Sequence, residues 1–377
     1  MSAELKVIPC PRSARDIRRF LQVSYGIYNG DPHWVAPLLY DLKKVFTDAN
    51  PLFQHAEMQL WIATRNGRDV GRIAVTLDQH YKDASGGRTA FFGFFECENN
   101  SVTSQQLFAA ANDWAGSRGV RRLLGPMNPT TNDECGLLVE GFDSPPRLMM
   151  TYNPPYYAAL VTTAGFRKAK DLLAYTLEVA KSPRERMERL AAKARRRNPE
   201  LNFIPVRRKT LTLDLGKIKA VYNAAWESNW GFVPMTEGEI DFLAARLKPL
   251  LVEGMLWLAE TPNEPVGFLL ALPDFNEVLK PLRGRLLTSR LFGALPYVFG
   301  KKLPDNLRVV TLGVKKEFRH RGIEAVMLAE CMKTSLRLGF REAEASWVLE
   351  DNVMMRRLLE PFGGKVYKTY RVYEREV

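Results

Sequence analysis

The chain has 377 residues, 46% of them apolar and 25% charged, with a formal net charge of +12. The length exceeds one ordinary domain, and the proportions are those of soluble globular protein. The opening MSAELKVIPCPRSARDIRR has no apolar core of a secretory signal, no stretch approaches ~18 uncharged apolar residues, and Cys10, Cys97, Cys135 and Cys331 lack the paired spacing of a zinc site or disulfide framework. A cytoplasmic protein without a metal is therefore expected.

The charge is uneven. Lys181 to Lys209 holds eleven Lys and Arg against three acids, and Asp274 to Asn306 holds six against three. Such segments suit an anionic surface or polyphosphate, or are simply solvated faces.

Taken along the chain, two stretches repeat one pattern. MQLWIATRNGRDVG (58–71) and MLWLAETPNEPVG (255–267) each read as a β-hairpin, with Ala63 and Ala259 at the same interval before Val70-Gly71 and Val266-Gly267. SVTSQQLFAAANDWAGSRGV followed by RRLLGPMN, and IEAVMLAECMKTSLRLGF followed by REAEASWVLE, each read as a helix and a strand. Asn153 and Asn352 each stand twelve residues before a glycine, Gly165 and Gly364, and each interval reads as helix followed by an alternating aromatic strand. The pattern implies a duplicated α/β (α+β) architecture. Its N-terminal half is expected over 1–180, a basic linker helix over 181–199, and a C-terminal half over 200–377. Ser182-Pro183-Arg184-Glu185 reads as a capping box for the linker helix, which stops at Asn198-Pro199.

Each half carries one private insertion. The first, PMNPTTNDECGLLVEGFDSPPRLMMTYNPPYY, is dense in polar groups, and ordered polar loops often carry function. Asp133 and Glu134 are its candidate general bases, or they merely form a turn; Tyr152 and Tyr156 are candidate substrate contacts. Glu227 and Trp230 form a second candidate wall. The other insertion sets Leu279, Leu282, Leu286, Leu287, Leu291, Phe292 and Leu295 among Lys280, Arg283, Arg285 and Arg290. That mixture suits an anionic membrane interface, or a segment packed on its own domain.

The most specific site is RVVTLGVKKEFRHRGIEAVMLAECM (308–332). A strand runs into Arg319-His320-Arg321-Gly322 and directly into an apolar-periodic helix, which aims backbone N–H groups at one spot suited to phosphate. These residues resemble the phosphate loop of the GNAT acyltransferase superfamily, Arg/Gln-x-x-Gly-x-Gly/Ala, with Arg319, Gly322 and Glu324 on its positions; Glu324 stands where the family has a small residue. LEDNVMMRRLLEPFGGKVYKTYRVYER resembles the family's next motif, which begins at Asn352. Leu359 stands where many members have a tyrosine that protonates the leaving thiolate.

The resemblance implies two tandem GNAT-like domains, each a mixed central sheet flanked by helices, and an acyl-CoA co-substrate. The donor would be held by Val314, Arg319, His320, Arg321, Gly322, Ile323, Glu324 and Asn352. Backbone N–H groups at Leu312 and Val314 would polarise the thioester carbonyl, and an amine would attack it. The first half reads FFGFFECENNSVTSQQ where a phosphate loop would fall, which implies no donor there. The chain is also similar to bacterial tandem-GNAT proteins that include the bacterial ceramide synthases. That likeness implies N-acylation of a long-chain sphingoid base, with the enzyme peripheral on the inner membrane. The alternatives are aminoacyl transfer from tRNA in cell-wall synthesis, which the basic linker would fit, and a non-catalytic GNAT-fold binding protein. No helix-turn-helix or zinc-finger spacing supports specific nucleic-acid binding.

Overall fold

A computed structural model of the protein describes residues 4–81, 86–227, 229–285 and 289–377. The chain forms two compact units. The first holds the chain up to Leu172 with Leu279–Leu291 and Lys368–Val377, and the second holds Leu173–Val278 with Phe292–Tyr367.

Unit 1 is built on strands β1 (Leu5–Cys10), β2 (Ala56–Arg65), β3 (Arg68–Asp78), β4 (Thr89–Cys97) and β5 (Arg122–Gly125), side by side in that order. The expected hairpin is β2–β3, with Ala63 opposite Gly71. Alternation along β2 decides which helix covers which face. Leu60 and Ile62 pack with Phe20 and Leu21 of α1 (Ala14–Ile27), whereas Trp61 and Ala63 pack with Leu107, Phe108 and Ala111 of α3 (Ser101–Gly116). The short helix α2 (Leu39–Lys44) follows α1. Asn100 caps α3, its side-chain oxygen accepting from the N–H groups of Val102 and Thr103. The polar insertion forms the two-residue strands β6 (Met127–Asn128) and β7 (Glu134–Cys135), then β8 (Leu137–Glu140) and helix α4 (Tyr157–Thr163).

In unit 2 the strand order is β9, β14, β13, β12, β11, β10: Arg167–Glu178, Glu342–Leu349, Asn306–Val314, Pro265–Pro273, Leu256–Glu260 and Asn202–Pro205. Helix α10 (Ile323–Leu338) covers one face through Ile323, Val326 and Met327 against Leu269 and Ala271. The opposite face carries α6 (Leu211–Trp226), where Tyr222 and Trp226 meet Phe268. Helices α7 (Glu237–Leu247), α8 (Asn276–Leu279), α9 (Leu291–Val298) and α11 (Val353–Leu359) complete the helical elements.

The units do not coincide with the two halves of the sequence. The last strand, β15 (Lys365–Glu376), pairs β5 and β8 through residues that belong to unit 1. Residues 173–178 of β9, at the end of the first half, belong to unit 2. Each half of the sequence thus supplies its final strand to the other unit. The basic helix α5 (Arg184–Arg197) is likewise more than a linker. Met187, Ala191 and Ala194 are buried in the core of unit 2 with α10. Its expected capping box does not form: Pro183 is the N-cap residue, and the Ser182 hydroxyl donates instead to the carbonyl of Glu178. The second insertion forms α8, a tight turn over Lys280–Leu282 that contains Pro281, and the eight-residue helix α9, which holds Pro296 within it; Leu286 and Leu287 lie outside the described residues.

Candidate active site

The site in unit 2 begins where two strands part. Strand β13 pairs β14 in parallel only from Asn306 to Val309, opposite Glu342 to Ala345. On its other side β13 keeps pairing β12 up to Val314, with Val310 as an extra bulged residue. Beyond Val309 a gap therefore opens between β13 and β14, and β13 is only half-buried from Val309 to Leu312.

Hydrogen-bond phase fixes what faces that gap. Lys315 N–H donates to the carbonyl of Val266, so that pair is hydrogen-bonded. In an antiparallel ladder the pairs alternate, so Leu312 and Val314 aim their backbone groups away from β12 and into the gap. These are the two N–H groups expected to polarise a thioester carbonyl. The Val314 carbonyl accepts from Arg319 Nε at 3.3 Å, which anchors the following loop to the same strand edge.

The loop itself is tightly held. His320 and Gly322 both have positive φ, 64° and 81°, and Gly322 is the N-cap residue of α10. Arg319 donates to the carbonyl of Ala225 at 2.7 Å, and Arg321 to Asn198 at 2.7 Å and to Glu200. Both arginines are thus committed to shaping the turn, and the backbone amides at the start of α10 follow directly after it. Burial raises the pKa of Glu324, while its own backbone N–H, His320 and Arg319 oppose the rise. Asn352 caps α11 through Met355 N–H at 3.1 Å, and Leu359 is buried.

The α6 face of this opening holds a polar cluster that sequence reasoning missed. Arg308 lies opposite Leu272 on β12 and Glu344 on β14, which puts both side chains on the Phe268 side of the sheet. Arg308 Nε donates to Ser346 Oγ at 2.8 Å, and Ser346 Oγ donates to Glu344 Oε1 at 2.6 Å. Tyr367 donates to the other oxygen of Glu344. Nearby, a Cβ on Gly313 would lie 2.1 Å from the Trp226 ring, so this tryptophan walls the gap. Glu227 is exposed at the C-cap of α6, and Trp230 follows in the next turn. The missed signal was a charged residue, Glu344, at an inward position of an otherwise buried strand.

Unit 1 contains an equivalent gap with different contents. Strands β4 and β5 pair only from Thr89 to Phe91, then separate. The chain's own side chains occupy the exposed strand edge. Phe94 N–H donates to Asn128 Oδ1 at 2.6 Å, Cys97 N–H donates to the Tyr157 hydroxyl at 2.9 Å, and the Tyr156 hydroxyl donates to the Cys97 carbonyl at 2.8 Å. Tyr157 also donates to buried Glu96 at 2.7 Å, and Arg72 reaches that carboxylate at 3.3 Å. Burial raises the pKa of Glu96 despite Arg72 and its hydrogen bonds.

The other sequence candidates fall in unit 1. Asp133 accepts from Thr130 N–H and Oγ1 at 3.3 and 2.9 Å, closing a turn, and Glu134 lies opposite Asn128 in the β6–β7 ribbon. Tyr152 donates to Asp31 at 2.9 Å. Tyr156, expected to touch substrate, is committed to the β4 edge. The basic run is laced with ion pairs, Arg184–Glu188, Arg189–Glu185 and Arg195–Glu330. Among the described residues, His55, Asp78 and His80 form one group of metal-type ligands. The two imidazoles stack 3.9 Å apart at 13°. Their lone pairs then lie in parallel planes, which suits stacking rather than a shared ion.

A doubled frame in which both sheets part beside a helix N-terminus is the tandem GNAT fold. The fold matches a tandem GNAT protein from the clavulanic acid biosynthesis pathway, with a TM-score of 0.59, 14% identity and coverage of 99% of this chain and 98% of that one. It also matches a GCN5-related N-acetyltransferase from Sphaerobacter thermophilus, with a TM-score of 0.52, 14% identity and 99% and 95% coverage. No family model matches the chain. It is 36% identical to the bacterial ceramide synthase of Caulobacter vibrioides over 99% of this chain and 98% of that protein. It is 31% identical to protein YghO of Escherichia coli K12 over 96% and 93%. The chain belongs to the family of these two proteins.

Proposed function

We propose that the protein is an acyl-CoA-dependent N-acyltransferase whose acceptor is a long-chain amine of the sphingoid type. The observation that carries the reading is the gap beyond Val309, with the N–H groups of Leu312 and Val314 facing it and the Arg319–Gly322 turn following on the same strand. An acyl-CoA supplies an activated thioester. The chain would hold its pyrophosphate on the amides of Ile323 and Glu324 and its carbonyl oxygen near Leu312 and Val314. Those fixed N–H groups stabilise the oxyanion that forms when the amine attacks. Unit 1 would bind no donor, because Asn128, Tyr156 and Tyr157 already satisfy its strand edge.

The acceptor class is supported by the name of the Caulobacter relative and by α9. Phe292, Val298 and Phe299 are 76%, 69% and 70% exposed, followed by exposed Lys301 and Lys302. Apolar side chains beside cations suit docking at an anionic lipid surface, where such an amine would reside. No helix of the described residues is long and apolar enough to cross a membrane.

Calorimetric titration with palmitoyl-CoA tests the donor, with one site per chain expected. Gly322→Asp, checked by circular dichroism, should abolish that binding. Thiol release on adding sphinganine tests the transfer. Binding at two equivalent sites, or unchanged affinity in the folded Gly322→Asp variant, refutes the donor assignment.

A further inference from the structure

The transfer needs a group that takes a proton from the attacking amine and one that returns it to the departing thiolate. Sequence candidates for the base, Asp133 and Glu134, are engaged in a turn and a ribbon of unit 1. Leu359 leaves the expected tyrosine position empty of a donor. Among the described residues, Glu344 is a carboxylate beside the opening in unit 2 that is almost completely enclosed, 1% exposed.

Its surroundings differ from those of a simple buried ion pair. Arg308 lies 3.5 Å away on one side, and Ser346 donates to the same oxygen. The second carboxylate oxygen is taken by Tyr367, which unlike Glu344 is only partly buried. A fully enclosed acid is thereby connected to the surface through one phenol. Register places Glu344 one residue before the last paired residue of β14, and Ser346 one residue after it, at the mouth of the gap. From Val309 to Leu312 is three residues, roughly 10 Å along a strand, and an amine bound within that span would come within hydrogen-bond reach of the relay.

We infer that Tyr367 and Glu344 form a two-way proton relay for acyl transfer, with Arg308 and Ser346 positioning the carboxylate. This rests on the N-acyltransferase reading above. The amine nitrogen bonds to the thioester carbon, giving an oxyanion held by backbone N–H groups and a positively charged nitrogen. That nitrogen gives its proton to the Tyr367 oxygen as the phenol proton moves to Glu344. The C–S bond then breaks, Tyr367 protonates the thiolate, and Glu344 returns the proton to Tyr367. One amide and one free thiol result, and the relay ends as it began. A single device serves as base and then as acid, so no separate tyrosine is needed at position 359.

The test compares Tyr367→Phe and Glu344→Gln with the unchanged protein by thiol release, using palmitoyl-CoA with sphinganine or with methoxyamine, which is unprotonated at neutral pH. Tyr367→Phe leaves the Arg308–Ser346–Glu344 contacts in place and guards against misfolding of the Glu344 variant, whose buried Arg308 loses its counter-charge. Both should retain palmitoyl-CoA affinity and lose 10²–10⁴-fold in kcat with sphinganine, the usual range for general acid–base catalysis. The loss should be at least tenfold smaller with methoxyamine, because its nitrogen gives up a proton more readily; a purely structural role would reduce both equally. Tyr367→Phe within twofold of the unchanged kcat, or equal losses with both amines, overturns the relay. No thiol release by the unchanged protein with either amine overturns the acyltransfer reading and the relay with it.

Discussion

Replacing Gly322 by alanine tests how the loop at the start of α10 is built. Two separate costs are expected. The residue has φ of 81°, and a side chain in that left-handed region costs about 1–2 kcal/mol. The new Cβ would also lie 2.9 Å from the Cβ of Ala194 on α5. Overpacking of that kind costs typically about 1–3 kcal/mol, because α5 must shift. The single variant should therefore lose about 2–5 kcal/mol. Ala194→Gly alone should lose about 1 kcal/mol, the cost of glycine inside a helix. In the double variant the clash disappears while both backbone costs remain. Its loss should be about 2–3 kcal/mol, below the sum of the single losses by the whole overpacking cost. Hydrogen exchange of peptides from α5 and α10 in a urea series reads this region by itself. Losses that add within about 0.5 kcal/mol would refute the packing argument.

Serine at Phe292 and Phe299 should change the thermal midpoint little, since both rings are exposed, yet weaken binding to anionic liposomes about a hundredfold in a sedimentation assay, given about 1.5–3 kcal/mol for each buried ring. Because burial raises the Glu96 pKa, the carboxylate contributes most to stability at low pH and loses that contribution as pH rises from the usual carboxylate range through the raised value. The stability of the native chain relative to Glu96→Gln should then fall with increasing pH over that window, in denaturant titrations between pH 4 and pH 8. All four cysteines are buried, and burial pushes Cys10 up to about 11 and Cys331 up to about 12. The folded protein should therefore react slowly with a thiol reagent at pH 8 and expose all four groups in urea, which absorbance at 412 nm would follow.

Hairpins, helices and the strand-to-helix turn at Arg319–Gly322 were legible because each rests on local pattern. Alternation gives β2–β3 and β11–β12, and Arg319-His320-Arg321-Gly322 marks a strand-to-helix turn by itself. The gap at Leu312 and Val314 was legible only through family resemblance, since nothing in RVVTLGV says where β14 departs. Non-local pairings were hidden. The contact of Tyr367 with Glu344 links residues 23 apart through a folded sheet. The commitment of Tyr156 to the Cys97 carbonyl depends on a hydrogen bond across 59 positions. The packing of α5 was hidden because its seven Lys and Arg residues outweigh Met187, Ala191 and Ala194, which it buries.

The division of β9 and β15 between the units bears on how the protein is made. Unit 1 includes Lys368–Val377, which are synthesised long after Leu172, and Arg371 in that segment binds Asp171 at 2.7 Å. Residues up to Leu172, although synthesised earlier, cannot complete their sheet until Lys368–Glu376 have emerged. Domain-by-domain folding in step with translation is thus closed to this protein. A stop codon in place of Lys368 would strip from β5 its antiparallel partner, far away in sequence.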